Sequence, residues 1–301
     1  MTVGIDIGRS GVKISIPAGR LPVFPALACP ARVIEEPGEA LLAARQTVEH
    51  EGQRWFWGET AAIHGGVNPA HDPDFEGSAP YAVLMAAAVQ QVLRDLGDAP
   101  LQLGLGVPAE AGQGVRRAVE RCAVRLLPKV KMRVVAQPAA VLAAAAAHDP
   151  QLLQQTVALV DVGRYSTDVA VSVQGRPVAG SLFSLPGVRI AVDDLLVRVK
   201  GQLVGTPSFE QLEQALQTGV LRHRLSEQSV DSPAYHARLR LQAVVEEAIR
   251  RVQLLRPDVQ VLILAGGGVE LLDRKRLPPH RIAPGGRYAV ADGLARLAAA
   301  L

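Results

Sequence analysis

The sequence predicts an α/β protein made by doubling one fold, and three observations carry that reading. Ile5-Asp6-Ile7-Gly8-Arg9-Ser10-Gly11 and Val160-Asp161-Val162-Gly163-Arg164-Tyr165-Ser166 follow one pattern: a β-branched run, an Asp two residues before a Gly, an Arg directly after it. Apolar alternation at Val12, Ile14, Ile16 and at Val169, Val171, Val173 makes each a hairpin with one buried face. The 301 residues, 49% apolar and 20% charged, are enough for two domains of ordinary size.

The elements follow in order. Strands at 2–7 and 12–16 flank the turn 8–11, and residues 17–80 read as an irregular inserted subdomain with one strand-like run at 53–57. Ser78 caps a helix over 78–96 with Pro80 in its first turn and Gly97 as its stop. A strand at 101–107 ends at Pro108. A helix at 115–127, a strand at 132–135 and an Ala-rich helix opened by Gln137-Pro138 complete the first domain, residues 1–150. The second domain, 151–301, opens with the mirror strands 157–162 and 168–173. Helices at 188–203 and 209–216 follow in a small subdomain of about 188–235, the latter announced by the capping-box spacing Ser208 to Gln211. A long helix over 235–255 carries Leu241, Val244, Val245, Ala248, Val252 and Leu255 on one stripe, with Glu246/Arg250 and Glu247/Arg251 pairs outside it. A buried strand at 259–264 runs into Gly266-Gly267-Gly268. The closing helix 289–301 is placed so that it can return to the first domain.

Composition narrows the function classes. No apolar run reaches the ~18 residues of a membrane span, and the start enters a strand without the regions of a secretory signal, so a cytoplasmic protein is expected. Cys29 and Cys122 are the only cysteines, expected to be buried thiols; they exclude a disulfide framework and a thiolate zinc site. The net charge is +3, from 32 basic and 29 acidic residues, and the basic clusters lack interleaved aromatics. They read as solvated faces, and direct sequence-specific nucleic-acid binding is not expected. No G-x-x-x-x-G-K-[ST] occurs, which disfavours a P-loop NTPase.

In a tight hairpin, successive backbone amides form a concave anion site, and a side chain at Gly8 or Gly163 would keep a phosphate away. Asp6 and Asp161 stand at the strand ends, where carboxylates hold Mg²⁺ through its waters. Lys13 can set a point charge against the β- and γ-phosphates. Gly266-Gly267-Gly268 lets a flat ring lie on the backbone, and a following helix would turn its positive end toward the ligand, so the triplet is assigned to the adenosine.

Asp6-Ile7-Gly8-Arg9-Ser10-Gly11-Val12-Lys13, Asp161-Val162-Gly163-Arg164-Tyr165-Ser166-Thr167-Asp168 and Leu264-Ala265-Gly266-Gly267-Gly268-Val269-Glu270 resemble the phosphate-one, phosphate-two and adenosine motifs of the actin, sugar-kinase and heat-shock-chaperone ATPase superfamily. Gly106-Val107-Pro108, Ala136-Gln137-Pro138 and the closing helix fit the same pattern. The length is most similar to the bacterial ParM/StbA-type actin homologues. The resemblance implies an actin-like ATPase fold, with two RNase-H-like domains around a nucleotide cleft, and ATP or ADP with Mg²⁺ as cofactors. It implies nucleotide contacts at Gly8, Arg9, Ser10, Gly11, Lys13, Gly163, Arg164, Tyr165, Ser166, Gly266, Gly267, Gly268 and Glu270. The catalytic set it implies is Gln137, orienting the attacking water, with Asp6 and Asp161 on the metal. Arg164 and Tyr165 replace the small Gly and Thr usual in the second loop. Arg164 either forks onto the phosphates or swings outward and leaves the turn loose; phosphate contact is expected, since Arg9 occupies the same relative place in the first loop.

The activity implied is ATP hydrolysis coupled to a head-to-tail filament for plasmid or DNA segregation, with a DNA-bound adaptor as partner and no membrane contact. A non-polymerising ATP-binding scaffold of division or pilus assembly is the main alternative. A small-molecule kinase is disfavoured, because no segment supplies an obvious aspartate base for a substrate hydroxyl.

Overall fold

The computed structural model describes residues 1–69, 72, 74–97 and 101–300. The chain divides into two units, residues 1–147 with 288–301, and residues 148–287.

In the first unit, β1 (Thr2–Ile7) and β2 (Gly11–Ile16) form an antiparallel hairpin. Past the inserted segment, helix α1 (Ala79–Leu96) is capped by Ser78 through the Tyr81 amide at 3.3 Å and stops at Gly97. β3 (Gln102–Val107) joins β1 in parallel, α2 (Gln113–Leu126) crosses over, and β4 (Lys131–Ala136) joins β3 in parallel. α3 (Gln137–Ala146) leaves directly from the end of β4.

The second unit repeats the plan. β5 (Thr156–Val162) and β6 (Ser166–Val173) pair antiparallel, β7 (Phe183–Pro186) adds to β6, and β8 (Val261–Ala265) joins β5 in parallel. Between β7 and β8 run α4 (Arg189–Val199), α5 (Phe209–Thr218) and α6 (Asp231–Leu255). One sheet runs Gly19–Arg20, β2, β1, β3, β4 and the other Arg176–Pro177, β6, β5, β8, Arg281–Ile282, each with two antiparallel and then two parallel pairings. One core gathers Ile5, Ile14, Leu84 and Leu105, the other Val160, Val169, Leu195 and Leu241.

The last helix, α7 (Ala289–Ala298), packs on β1, β3 and α3 of the first unit. The approach is backbone to backbone. A Cβ on Gly293 would overlap the Ala140 carbonyl, and one on Gly4 would overlap that of Ala291. Leu301, the final residue of the expected helix, lies outside the described residues.

The segment 17–80 is more regular than expected. It holds a three-stranded sheet of Ala28–Pro30, Thr47–His50 and Gln53–Trp57, with helices at Pro37–Arg45 and Gly58–Ile63. Strands this short carry too few alternations to show a period, and tertiary packing of Phe24 on Trp57 (centroids 4.8 Å apart) holds them instead. On α6 the apolar stripe stops at Val252, and Leu255 is exposed. The Glu246/Arg250 pair does not form. Glu247 takes both Arg250 and Arg251 at 2.7 Å, and Glu246 turns to Arg276 at 3.5 Å. Of the two thiols Cys29 is buried and Cys122 only half-buried. No helix among the described residues is long and apolar enough to cross a membrane.

Candidate functional site

The first hairpin closes where the Gly8 amide donates to the Gly11 carbonyl at 3.2 Å. Its register sets Asp6 opposite Lys13. Asp6 is only 3% exposed, and a carboxyl so far from water is costly to bury without hydrogen-bonding partners. It has two: Lys13 Nζ lies 3.1 Å from Oδ2, and the Gln137 side-chain amide donates to Oδ1 at 2.9 Å. Gln137 arrives there because β4 hands the chain to α3 beside the end of β3. Gly106 keeps the space open, since a Cβ on it would come within 3.3 Å of Gln137 Cγ. Three residues singled out in the sequence, from three separate segments, thus form one cluster.

Arg9 does not join it. Its guanidinium donates to the carbonyls of Pro69 and Asp72, at 3.2 and 2.5 Å, pairs with the buried Glu76 carboxylate at 3.4 Å, and lies 5.8 Å from the centre of the Phe75 ring. The expectation that it reaches a phosphate finds no support in this geometry. Ser10 offers its carbonyl to the Ala26 amide at 3.4 Å, and Gly11 packs against Val23 and Phe24.

The second hairpin closes in the same way, Gly163 amide to Ser166 carbonyl at 2.8 Å. Its register places Asp168 opposite Asp161, where the first hairpin has Lys13 opposite Asp6. Asp168 is 5% exposed and accepts from the Ser166 and Ser184 hydroxyls at 2.7 and 2.5 Å. Sequence reasoning quoted Asp168 in the motif and gave it no role, although its register position relative to Asp161 was the available signal. It also missed Gly187. The amides of Gly187, Val188 and Arg189 donate to the carbonyls of Tyr165, Gly163 and Arg164 at 3.1, 3.0 and 2.8 Å, bracing the loop from outside. A Cβ on Gly187 would overlap the Gly163 carbonyl.

Arg164 turns to α5, meeting Glu213 at 2.5 Å and Glu210 at 3.5 Å with its guanidinium 4.9 Å from the centre of the Phe209 ring. Tyr165 packs on the same ring, with centroids 6.0 Å apart. The two residues that depart from the usual small pair therefore both dock the loop on α5.

The glycine triplet is held chiefly by packing. Gly266 adopts φ +85°, and a Cβ there would overlap Asp161 Oδ1 and the Val162 carbonyl. A Cβ on Gly268 would lie 2.6 Å from Val162 Cγ1 and 2.7 Å from Val188 Cγ2. Gly267 alone is exposed with open space at its Cβ position. The expected helix is a single 3-10 turn, Gly267–Leu271, too short to build a dipole, and Glu270 on it is exposed. Among the described residues no three metal-ligating side chains converge.

The comparisons fit this geometry. Residues 4–138 match the family described as actin like proteins N terminal domain, and the whole chain superposes on actin homologues. The fold is that of the actin-like proteins. An archaeal actin homologue, Ta0583, solved in complex with ADP, is 22% identical with a TM-score of 0.73, over 100% of this chain and 99% of that one. A ParM from a 15-stranded filament of Clostridium botulinum is 16% identical with a TM-score of 0.79, over 100% and 99%. Bacillus thuringiensis ParM with AMPPNP is 13% identical with a TM-score of 0.70, over 100% and 99%. No curated protein sequence matches the chain. The actin-like likeness drawn from the three motifs is borne out, and so is the α/β fold class.

Proposed function

We propose that this actin-like protein is a cytoplasmic ATPase that binds ATP and ADP on its hairpins, hydrolyses ATP slowly and assembles head to tail into filaments. A DNA-bound adaptor would attach plasmid cargo to them. The observation that carries the reading is the Asp6–Lys13–Gln137 cluster behind a tight glycine turn, repeated in outline at Asp161, Asp168 and Gly163. Structural relatives support it: one was solved with ADP, one with AMPPNP, and one as a ParM filament.

A glutamine is a poor base but holds a water in line, so turnover rests on positioning. The hydrogen bond from Gln137 to Asp6 fixes where that amide points. Lys13 commits one of its three donors to Asp6 and keeps two for phosphate oxygens. Single carboxylates at strand ends suit Mg²⁺, which keeps most of its waters. Asp161 would hold it, with Asp6 acting through water, and the ion would neutralise charge on the phosphates. A non-closing contact between different faces of one chain makes a filament.

Titration calorimetry with Mg-ATP and Mg-GTP tests the first step: heat of binding is expected, and none from either purine triphosphate removes the nucleotide reading. Pelleting and light scattering test the second. ATP hydrolysis without scattering at any concentration would leave the non-polymerising scaffold in its place.

A further inference from the structure

We infer that Arg9 and Arg164 are a matched pair of latches, each tying the anion-binding turn of its own unit to the segment inserted in that unit. They are positioning residues for the nucleotide reading given above, and the inference rests on that reading only for its second readout.

The two arginines occupy the same place, directly after the glycine that opens each turn. Each sends its guanidinium away from the turn to a carboxylate and an aromatic ring. Arg9 has the Glu76 carboxylate, the Phe75 ring and a pair of carbonyls on the segment that leads into α1. Arg164 has the Glu213 and Glu210 carboxylates and the Phe209 ring, all on α5. A planar fork with five donors suits such divided partners, and an ammonium does not. The environments are partly buried: the side chains of Arg9 and Arg164 are 25% and 21% exposed, those of Glu76 and Glu213 9% and 23%. Pairs shielded to this degree hold geometry better than surface pairs. Tyr165, stacked on Phe209, adds a second tie in the second unit.

A turn joined in this way cannot order on an anion without ordering the segment at the far end of its arginine. In the first unit that segment closes the 17–80 insertion, and in the second it is α5. The latches would make each inserted segment report whether its turn is filled.

Hydrogen exchange on the nucleotide-free full chain tests the contact. Arg9→Ala should raise exchange at Gly8–Gly11 and at Phe75–Gly77 by about fivefold, the scale of one lost partly exposed ion pair, and leave Gly163–Ser166 unchanged. Arg164→Ala should do the reverse, loosening Gly163–Ser166 and the first turn of α5. Arg9→Lys should behave as Arg9→Ala, and Glu76→Gln and Glu213→Gln should reproduce each effect if an arginine variant fails to fold. Unchanged exchange in a variant's own turn overturns the inference.

Mg-ADP affinity supplies the second readout. A latch variant should bind within about threefold of the parent, whereas removing an arginine that contacts phosphate costs roughly tenfold to a hundredfold. A loss of that size overturns the latch. If the parent itself binds no nucleotide, the nucleotide reading fails alone, and the exchange experiment still decides the latch.

Discussion

The two hairpins are copies that have come to hold opposite chemistry. Both close glycine to carbonyl across the same turn, yet the first sets a lysine across from its aspartate and the second sets another aspartate there. The first is braced through a side chain, Arg9, on a segment about sixty positions on. The second has its own side-chain brace, Arg164 on α5, and in addition a backbone one, the amides of Gly187, Val188 and Arg189. One turn is backed by a lysine and a glutamine amide around its aspartate, the other by a second aspartate across from its own.

Four outcomes would break or sharpen this contrast. The largest effect is expected on the carboxylate side, where Asp161→Ala should abolish Mg-dependent hydrolysis in a phosphate-release assay while the melting curve stays near the parent's. A variant still turning over at the parent rate would show that the second hairpin carries no metal. On the other side, Gln137→Ala should retain nucleotide binding by calorimetry and slow turnover by ~10²-fold, the scale of a misplaced water. Equal rates would remove Gln137 from the chemistry.

The braces differ in tolerance. Gly187→Ala drives a Cβ into the Gly163 carbonyl, with no flexible neighbour to yield, and should cost about 2–3 kcal/mol in denaturant unfolding. Gly8→Ala meets the flexible tip of Lys13 at 3.2 Å and the Gly11 carbonyl at an ordinary contact distance of 3.4 Å, and should cost under about 1 kcal/mol. Equal losses at the two sites would erase the distinction.

The smallest effect is a difference in pH response between the units. In the second unit, Arg250 and Arg251 hold Glu247 from the ordinary 4.5 down to about 2, and Arg256 holds Asp258 from 3.8 down to about 2. Their folded values lie below the unfolded ones, so the pairs support the fold above about pH 4.5 and lose that support as the pH falls toward 2. Both carboxylates are on the surface, and the effect should be slight. In the first unit, burial pushes the Cys122 thiol from 9.0 up to about 11, so stability complete below pH 9 is lost as the pH rises toward 11. Exchange measured across pH should loosen the second unit first in acid and the first unit first in base.

What was legible in the sequence was local. The two hairpins showed because Asp-x-Gly-Arg sits between alternating strands, and the helix caps at Ser78 and Ser208 showed because capping is read over three or four residues. Gln137 was named from the resemblance, but its hydrogen bond to Asp6 joins residues far apart in the chain. The protein partners of Arg9 and Arg164 are hidden from the sequence for the same reason, since a guanidinium's partner lies in another segment. Gly187 sat unnoticed between Pro186 and Val188, because a glycine required by a neighbouring carbonyl looks like any other. The glycine triplet was placed correctly after its strand, but the packing demands of Gly266 and Gly268 could not be told from a ligand's.

The chain leaves the first unit after Ala147 and re-enters it only at Tyr288, to lay down α7. On the ribosome, the unit begun first is therefore finished last. Its partner, encoded as one uninterrupted stretch, has all its own strands and helices in hand before the opening sheet receives the helix that covers Gly4 and Gly104. A stop codon directly after Arg287 would strip that cover from the earliest-made β-sheet and leave the later one intact, so nascent-chain damage at the tail would be felt at the head.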